Sequence, residues 1–209
     1  MDEKTMYNLT YGLFILMANQ AGKDNGCIIN TVMQVTVMPN RIAIAVNKSN
    51  FTHDMILATR KFNISILNEQ AKMPLFERFG FQSGKTIDKL KDFSAVKRSE
   101  NGILYVTEEA NSYLSAETES MIDMDTHTLF IASITDMQTL NALPSVTYSY
   151  YQKNIKPQAK PASAAEKGKV VWRCTVCGYE YVGEEIPEDF ICPICKHPVS
   201  DFEKIVPQI

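Results

Sequence analysis

Two Cys-x-x-Cys pairs near the end of the chain constrain its folding more than any other feature. They are Cys174 with Cys177 and Cys192 with Cys195, and 14 residues separate the pairs. A two-residue gap lets both thiolates of a pair face one ion while the intervening amides turn towards sulfur. Gly178 follows the first pair, where a positive φ is cheap only for glycine, and Pro193 pre-sets the turn of the second pair. Four thiolates in a tetrahedron suit Zn²⁺ or a single iron. The stretch 169–209 holds only 41 residues, too few to fold on an apolar core alone, so a bound metal would contribute folding energy. Two disulfides are the bland alternative, disfavoured in an intracellular chain. A structural zinc ribbon fits the spacing nearly as well as iron does. His197 lies just past Cys195 and reads as a surface residue, because four thiolates already close the tetrahedron.

The whole chain has 209 residues, enough for one ordinary domain plus a small one. Residues 156–168 contain two prolines, four alanines and a glycine but no large apolar side chain. A segment that buries no apolar area stays a linker. The expected division is therefore 1–155, linker 156–168, and metal domain 169–209. The formal charge is −3. Residues 169–209 carry four cations against seven carboxylates, so that deficit lies in the small domain and the rest is balanced. This excludes nucleic-acid binding through a basic patch and leaves open a basic docking partner beside the plain reading of a soluble surface. No stretch approaches a membrane span, and the apolar run Leu13 to Ala18 is too short and wrongly flanked for an export signal. The expected location is the cytoplasm.

Before the linker the pattern is mainly β. Strands are expected over Tyr11–Ala18, Cys27–Val37, Arg41–Asn47, Phe62–Leu67, Phe93–Arg98, Ile103–Glu109, Tyr113–Asp123 and Thr128–Asp136. Helices are expected over Asn50–Arg60 and Met73–Phe79. Many short strands with few helices point to a barrel or sandwich. Three polar stretches bear chemistry. Asn30, Thr31 and Gln34 interrupt an apolar strand and need partners from the fold or a ligand. Asn47, Lys48, Ser49, Asn50, Thr52 and His53 form a cationic, hydroxyl-rich turn opening a helix, suited to an anion. Asp125, Thr126 and His127 begin a late strand. Each also has a plain reading: strand-end polar residues, an ordinary N-cap, a solvated histidine. No dinucleotide or P-loop glycine pattern is present.

The run Trp172-x-Cys-x-x-Cys-Gly-Tyr179, then Ile186-Pro-Glu-Asp-Phe190, Cys-Pro-x-Cys and Phe202-Glu-Lys-Ile205, resembles the rubredoxin domain of rubrerythrins. The resemblance implies one iron on Cys174, Cys177, Cys192 and Cys195, shielded by Trp172, Tyr179, Tyr181, Phe190 and Phe202. The larger part resembles the flavin reductase-like family of FMN-binding split β-barrels over roughly residues 7–155. The matching elements are Tyr11-Gly-Leu-Phe14, Gly26-x-x-x-Asn30 with Thr36-x-x-Pro39, Lys48-Ser-x-x-Thr-His53, Phe62–Leu67, Ser83-Gly-Lys85 with Asp88-Lys89, and His127-Thr-Leu-Phe130. One departure is Ile28, where the family often has threonine.

That resemblance implies FMN with its phosphate near Lys48, Ser49 and Thr52; which of Lys48, Lys85 and Lys89 contacts the phosphate stays open. It implies the ring system against Asn30–Gln34, His127 near the nicotinamide or substrate face, and a homodimer. Cys27 reads as a packed thiol. A flavin reductase-like domain followed by a rubredoxin domain is the arrangement of the high-molecular-weight rubredoxins. That family passes NAD(P)H electrons to flavodiiron proteins that remove nitric oxide or oxygen. FMN exchanges electrons singly or in pairs, which suits it to link a hydride donor to a one-electron iron. Two alternatives stay open: a free-flavin reductase with a structural zinc ribbon, and a carrier loaded by another reductase.

Overall fold

The computed structural model describes residues 3–157, 170–175, 179–192 and 198–205. The chain divides into two compact units, 1–152 and 153–209. Most of the expected linker, and with it Cys177 and Cys195, Gly178, Pro193 and His197, lies outside the described residues.

The first unit is built on nine strands. These are β1 (Phe14–Gln20), β2 (Lys23–Ile29), β3 (Val32–Val37), β4 (Asn40–Asn47), β5 (Lys61–Leu67), β6 (Val96–Arg98), β7 (Leu104–Val106), β8 (Ala110–Met124) and β9 (His127–Thr139). Helix α1 (Phe51–Thr59) follows β4, and α2 (Met73–Gly80) follows β5. Seven strands form one sheet in the order β2-β1-β5-β8-β9-β4-β3, and β6 and β7 pair separately. Alternation sets the inner face: Leu16, Ile44, Val46, Phe62, Ile64 and Phe130 are all fully buried in one cluster. Strands β8 and β9 are long, and register shifts at Ser115/Ala116 and Thr118/Ser120 bend them around that cluster. The β1–β2 hairpin closes through Ala21 and Gly22, both left-handed with φ 49° and 80°, which matches the twist of a two-residue turn.

The order of the strands has one strong consequence. β2 and β3 lie at opposite edges of the sheet, yet only Asn30 and Thr31 join them. Three Cα steps reach at most about 11 Å. The sheet must therefore curl until its edges approach, which is a barrel split along one seam. The expected single strand Cys27–Val37 is corrected here: it breaks at Asn30–Thr31, and β3 turns outward. Gln34 is consequently exposed, and its amide reaches only Thr36 O at 3.4 Å and Asn40 Oδ1 at 3.3 Å. The helices and the other strands form where expected, with ends displaced by a few residues.

In the second unit, β10 (Val171–Cys174) is the centre of a three-stranded sheet, flanked by β11 (Glu180–Val182) and β12 (Phe202–Ile205). Phe190 gathers the expected aromatic cluster. Its ring lies 4.9 Å from Tyr181, 5.5 Å from Phe202 and 6.3 Å from Tyr179. Trp172 takes Lys204 over its ring at 5.3 Å.

Candidate functional site

The seam is where polar groups meet open space. Thr31 extends the β3–β4 pairing: its carbonyl accepts Ala45 N–H, and its hydroxyl donates to Ala45 O at 2.6 Å. Among the described residues the Asn30 amide has no hydrogen-bond partner, although it is half-buried. Asn30, Thr31, Val32 and Met33 border a cavity of about 360 Å³ that Tyr11, Gly12, Ala43, Ala45 and Leu129 complete. Alanines at 43 and 45 leave the room. Larger side chains there would fill it.

Strand periodicity extends this surface to His127. Ala45 pairs with Leu129 and Asn47 pairs with His127. Residues two apart on a strand share a face, so Asn47 and His127 continue the cavity wall one step further. There the turn into α1 meets the β8–β9 hairpin. Lys48 N–H donates to Thr126 O at 3.0 Å, and Ser49 N–H to Asn47 Oδ1 at 2.8 Å. Lys48 Nζ donates to both oxygens of Asp123 at 2.7 Å. That contact, with the Asp125 N–H, holds the Asp123 carboxyl below its usual range. The His127 Nδ1 lies 2.9 Å from Thr126 Oγ1.

Thr52 and His53 sit deeper than the sequence suggests. Both are buried. Thr52 Oγ1 accepts from Asn25 Nδ2 at 2.8 Å. His53 Nε2 is 2.9 Å from Thr128 Oγ1, its Nδ1 is 3.2 Å from Asp54, and its ring meets Phe130 edge-on at 5.8 Å. They fix the start of α1 from beneath. A second cleft of about 630 Å³ lies between the β1–β2 turn and residues 84–88. Lys85 Nζ stands there, 3.6 Å from Asp54 Oδ2, and Lys23 Nζ lies 4.6 Å over the Phe51 ring. Sequence reasoning missed Lys23, because a lone lysine in a hairpin turn carries no signal. Lys89 is buried against backbone carbonyls. Cys27 is buried too, and burial pushes its thiol up, in keeping with a packed thiol.

In the second unit Cys174 and Cys192 are both buried. Cys174 N–H donates to Tyr179 O at 2.8 Å, and Cys174 pairs with Phe202 across β10–β12. Ile191 bridges to Pro198. The two backbone closures bracket, in sequence, the segments that carry Cys177 and Cys195. Among the described residues no cluster of three or more metal-binding side chains occurs, since only two of the four cysteines are described.

The curled sheet, the seam cavity and the anion-suited turn define the class: a flavin reductase-like oxidoreductase. The model of the flavin reductase-like domain matches residues 6–158, and that of the rubrerythrin rubredoxin-like domain matches residues 172–203. Across its length the chain is 35% identical to a high molecular weight rubredoxin of Moorella thermoacetica, covering 98% of this chain and 100% of the relative. It is 33% identical to a ferric-chelate reductase (NAD(P)H) of Archaeoglobus fulgidus, over 72% of this chain and 89% of the relative. An FMN-binding protein from Thermus thermophilus shares the fold with a TM-score of 0.59 at 17% identity, over 64% of this chain and 73% of that one. The chain belongs to the flavin reductase-like family and, over its full length, to the high molecular weight rubredoxins. It is an oxidoreductase of flavin-dependent electron transfer.

Proposed function

We propose that this chain takes electrons from NAD(P)H on FMN, passes them to a single iron on Cys174, Cys177, Cys192 and Cys195, and delivers them to a redox protein such as a flavodiiron nitric oxide or oxygen reductase. The observation that carries the reading is the seam cavity, edged by an unpartnered Asn30 amide and continued to His127, in the same chain as the buried pair Cys174 and Cys192. Its volume of about 360 Å³ falls within the range of cofactor sites. Asn30 and Thr31 supply amide and hydroxyl groups suited to the edge of a flavin ring, whereas Gln34, expected there from the sequence, lies exposed outside the cavity. Tyr11 and Leu129 wall off water. Asn47, Lys48, Ser49, Asn50 and Lys85 hold the phosphate end, with Thr52 and His53 as their buried support. His127 stands at the rim, where it orients the nicotinamide or substrate. When bound, FMN supplies two-electron acceptance with one-electron release, and a four-thiolate iron supplies a one-electron store. Hydride transfer needs position more than an acid or base.

A second copy of the chain is the natural cover for the seam. The β3 edge beside it exposes Met33 at 61%, Val37 at 73% and Met38 at 93%, a patch of the kind that marks an interface. The test of the function is dependence on flavin. Protein stripped of FMN leaves its ferric site oxidised under anaerobic NADH, and added FMN restores reduction. Reduction at full rate without any flavin would refute the proposed order of carriers.

A further inference from the structure

Lys89 is a buried ammonium that the proposed electron path does not use. Its Nζ donates to Gly26 O of β2 at 2.9 Å and to Phe79 O of α2 at 3.0 Å. No carboxylate pairs with it among the described residues. Its neighbour Cys27 is pushed up by burial and stays neutral. Burying a charge is costly unless the groups around it satisfy it. Burial accordingly lowers the pKa of Lys89. The Phe79 carbonyl lies in the last turn of α2, where carbonyls lack helical partners and favour a cation.

The contact reaches beyond one carbonyl. Arg78, on the same helix turn, donates to Lys89 O and Lys91 O, both at 3.0 Å, and lies over Phe93 at 5.3 Å. The segment after α2 is thus clamped to that helix by two cations. It folds back as a turn: Thr86 N–H and Ile87 N–H both donate to Ser83 O at 3.1 Å. Gly84 of this turn is pressed against Asn25. A Cβ at Gly84 would stand 2.0 Å from Asn25 Oδ1. Asn25 in turn donates to Thr52 at the start of α1. Lys89 thus anchors to Gly26, next to Asn25 on β2; Gly84 of the turn presses on that same Asn25, Asn25 donates to α1, and the turn carries Lys85 to within 3.6 Å of Asp54 on α1.

We propose that Lys89 is the positioning residue of the phosphate-binding turn, holding Gly84, Lys85 and Thr86 against Asn25 so that Lys85 meets the flavin phosphate. This rests on the flavin reading above. Lys89 itself touches no ligand; it acts through Lys85.

The test compares FMN with riboflavin, which lacks the phosphate, by fluorescence quenching on the full chain. Gly84→Ala and Lys89→Met each raise the FMN dissociation constant about tenfold or more, and leave that of riboflavin within about twofold. In a Lys85→Ala background Lys89→Met adds little further loss, because both changes remove one interaction. Asn25→Ala with Gly84→Ala binds FMN more tightly than Gly84→Ala alone, since the obstructing amide is gone. Should Lys89→Met fail to fold, Lys89→Gln, whose shorter neutral amide cannot hold both carbonyls as the ammonium does, carries the same FMN-against-riboflavin comparison. Equal losses for both flavins, or additive losses with Lys85→Ala, would overturn the proposal while leaving the flavin reading intact. No flavin binding by the unaltered chain would overturn the flavin reading itself.

Discussion

Lys48, Lys85 and Lys89 are alike in sequence, and the fold treats each differently. Lys48 is held by both oxygens of Asp123, Lys85 is loosely paired with Asp54 and half in solvent, and Lys89 is buried on carbonyls. The freest ammonium is the best phosphate ligand. Lys85→Ala is therefore expected to weaken FMN binding about tenfold, and Lys48→Ala by less, as measured by flavin retention on gel filtration. The same environment-first logic applies to Tyr113. Its hydroxyl donates to Asp136 at 2.7 Å, and its ring stacks on Tyr105 at 3.9 Å. The Asp136 hydrogen bond, with burial, pushes its pKa up to about 12. A raised pKa means the bond stabilises the fold fully below the unfolded value of about 10, and that this contribution is lost as pH rises towards about 12. Tyrosinate absorbance should show one ionisation displaced above the usual range, and Tyr113→Phe should abolish that displaced step while leaving the rest of the titration unchanged. None of these fates was legible in the sequence, because charge type says nothing about which carbonyl or carboxylate the fold places beside it.

At the scale of elements, the seam organises the molecule. Most strands were legible, since Ile42, Ile44 and Val46 or Phe62 and Ile64 alternate as a half-buried sheet requires. The break at Asn30–Thr31 was not. Ile28 and Ile29 precede it and Val32, Val35 and Val37 follow it, so local propensity favours one long strand. Only the sheet order, with β2 and β3 at opposite edges, forces the chain to cross there. The motif residues Asn30 and His127 were visible singly, but their shared face follows from the pairing of β4 with β9. Phe130 lies under this face, fully buried and in contact with His53. Phe130→Ala should destabilise the first unit by about 3–5 kcal/mol, read as a lower midpoint in urea with an unchanged slope. A loss of only a few tenths of a kcal/mol, from the midpoint and slope together, would mean that the seam does not rest on this core.

The whole molecule combines two units with different sources of stability. The first has a continuous apolar cluster. The second relies on a few aromatic contacts around Phe190 and on its cysteines. Stripping metal should therefore unfold the second unit while the barrel persists, visible as new proteolytic cleavage confined to residues beyond 169. The cysteine spacing made that dependence readable from the start. The aromatic cluster was equally readable, since Tyr181, Phe190 and Phe202 have no other core to join. Together the two units would provide the proposed internal electron path from nicotinamide through flavin to iron. The most direct test is the visible spectrum of the pure, natively produced protein before and after anaerobic NADH. The account predicts superposed flavin and ferric-thiolate bands, both bleached by NADH. A flavin spectrum without iron bands, with zinc found by elemental analysis, would contradict it.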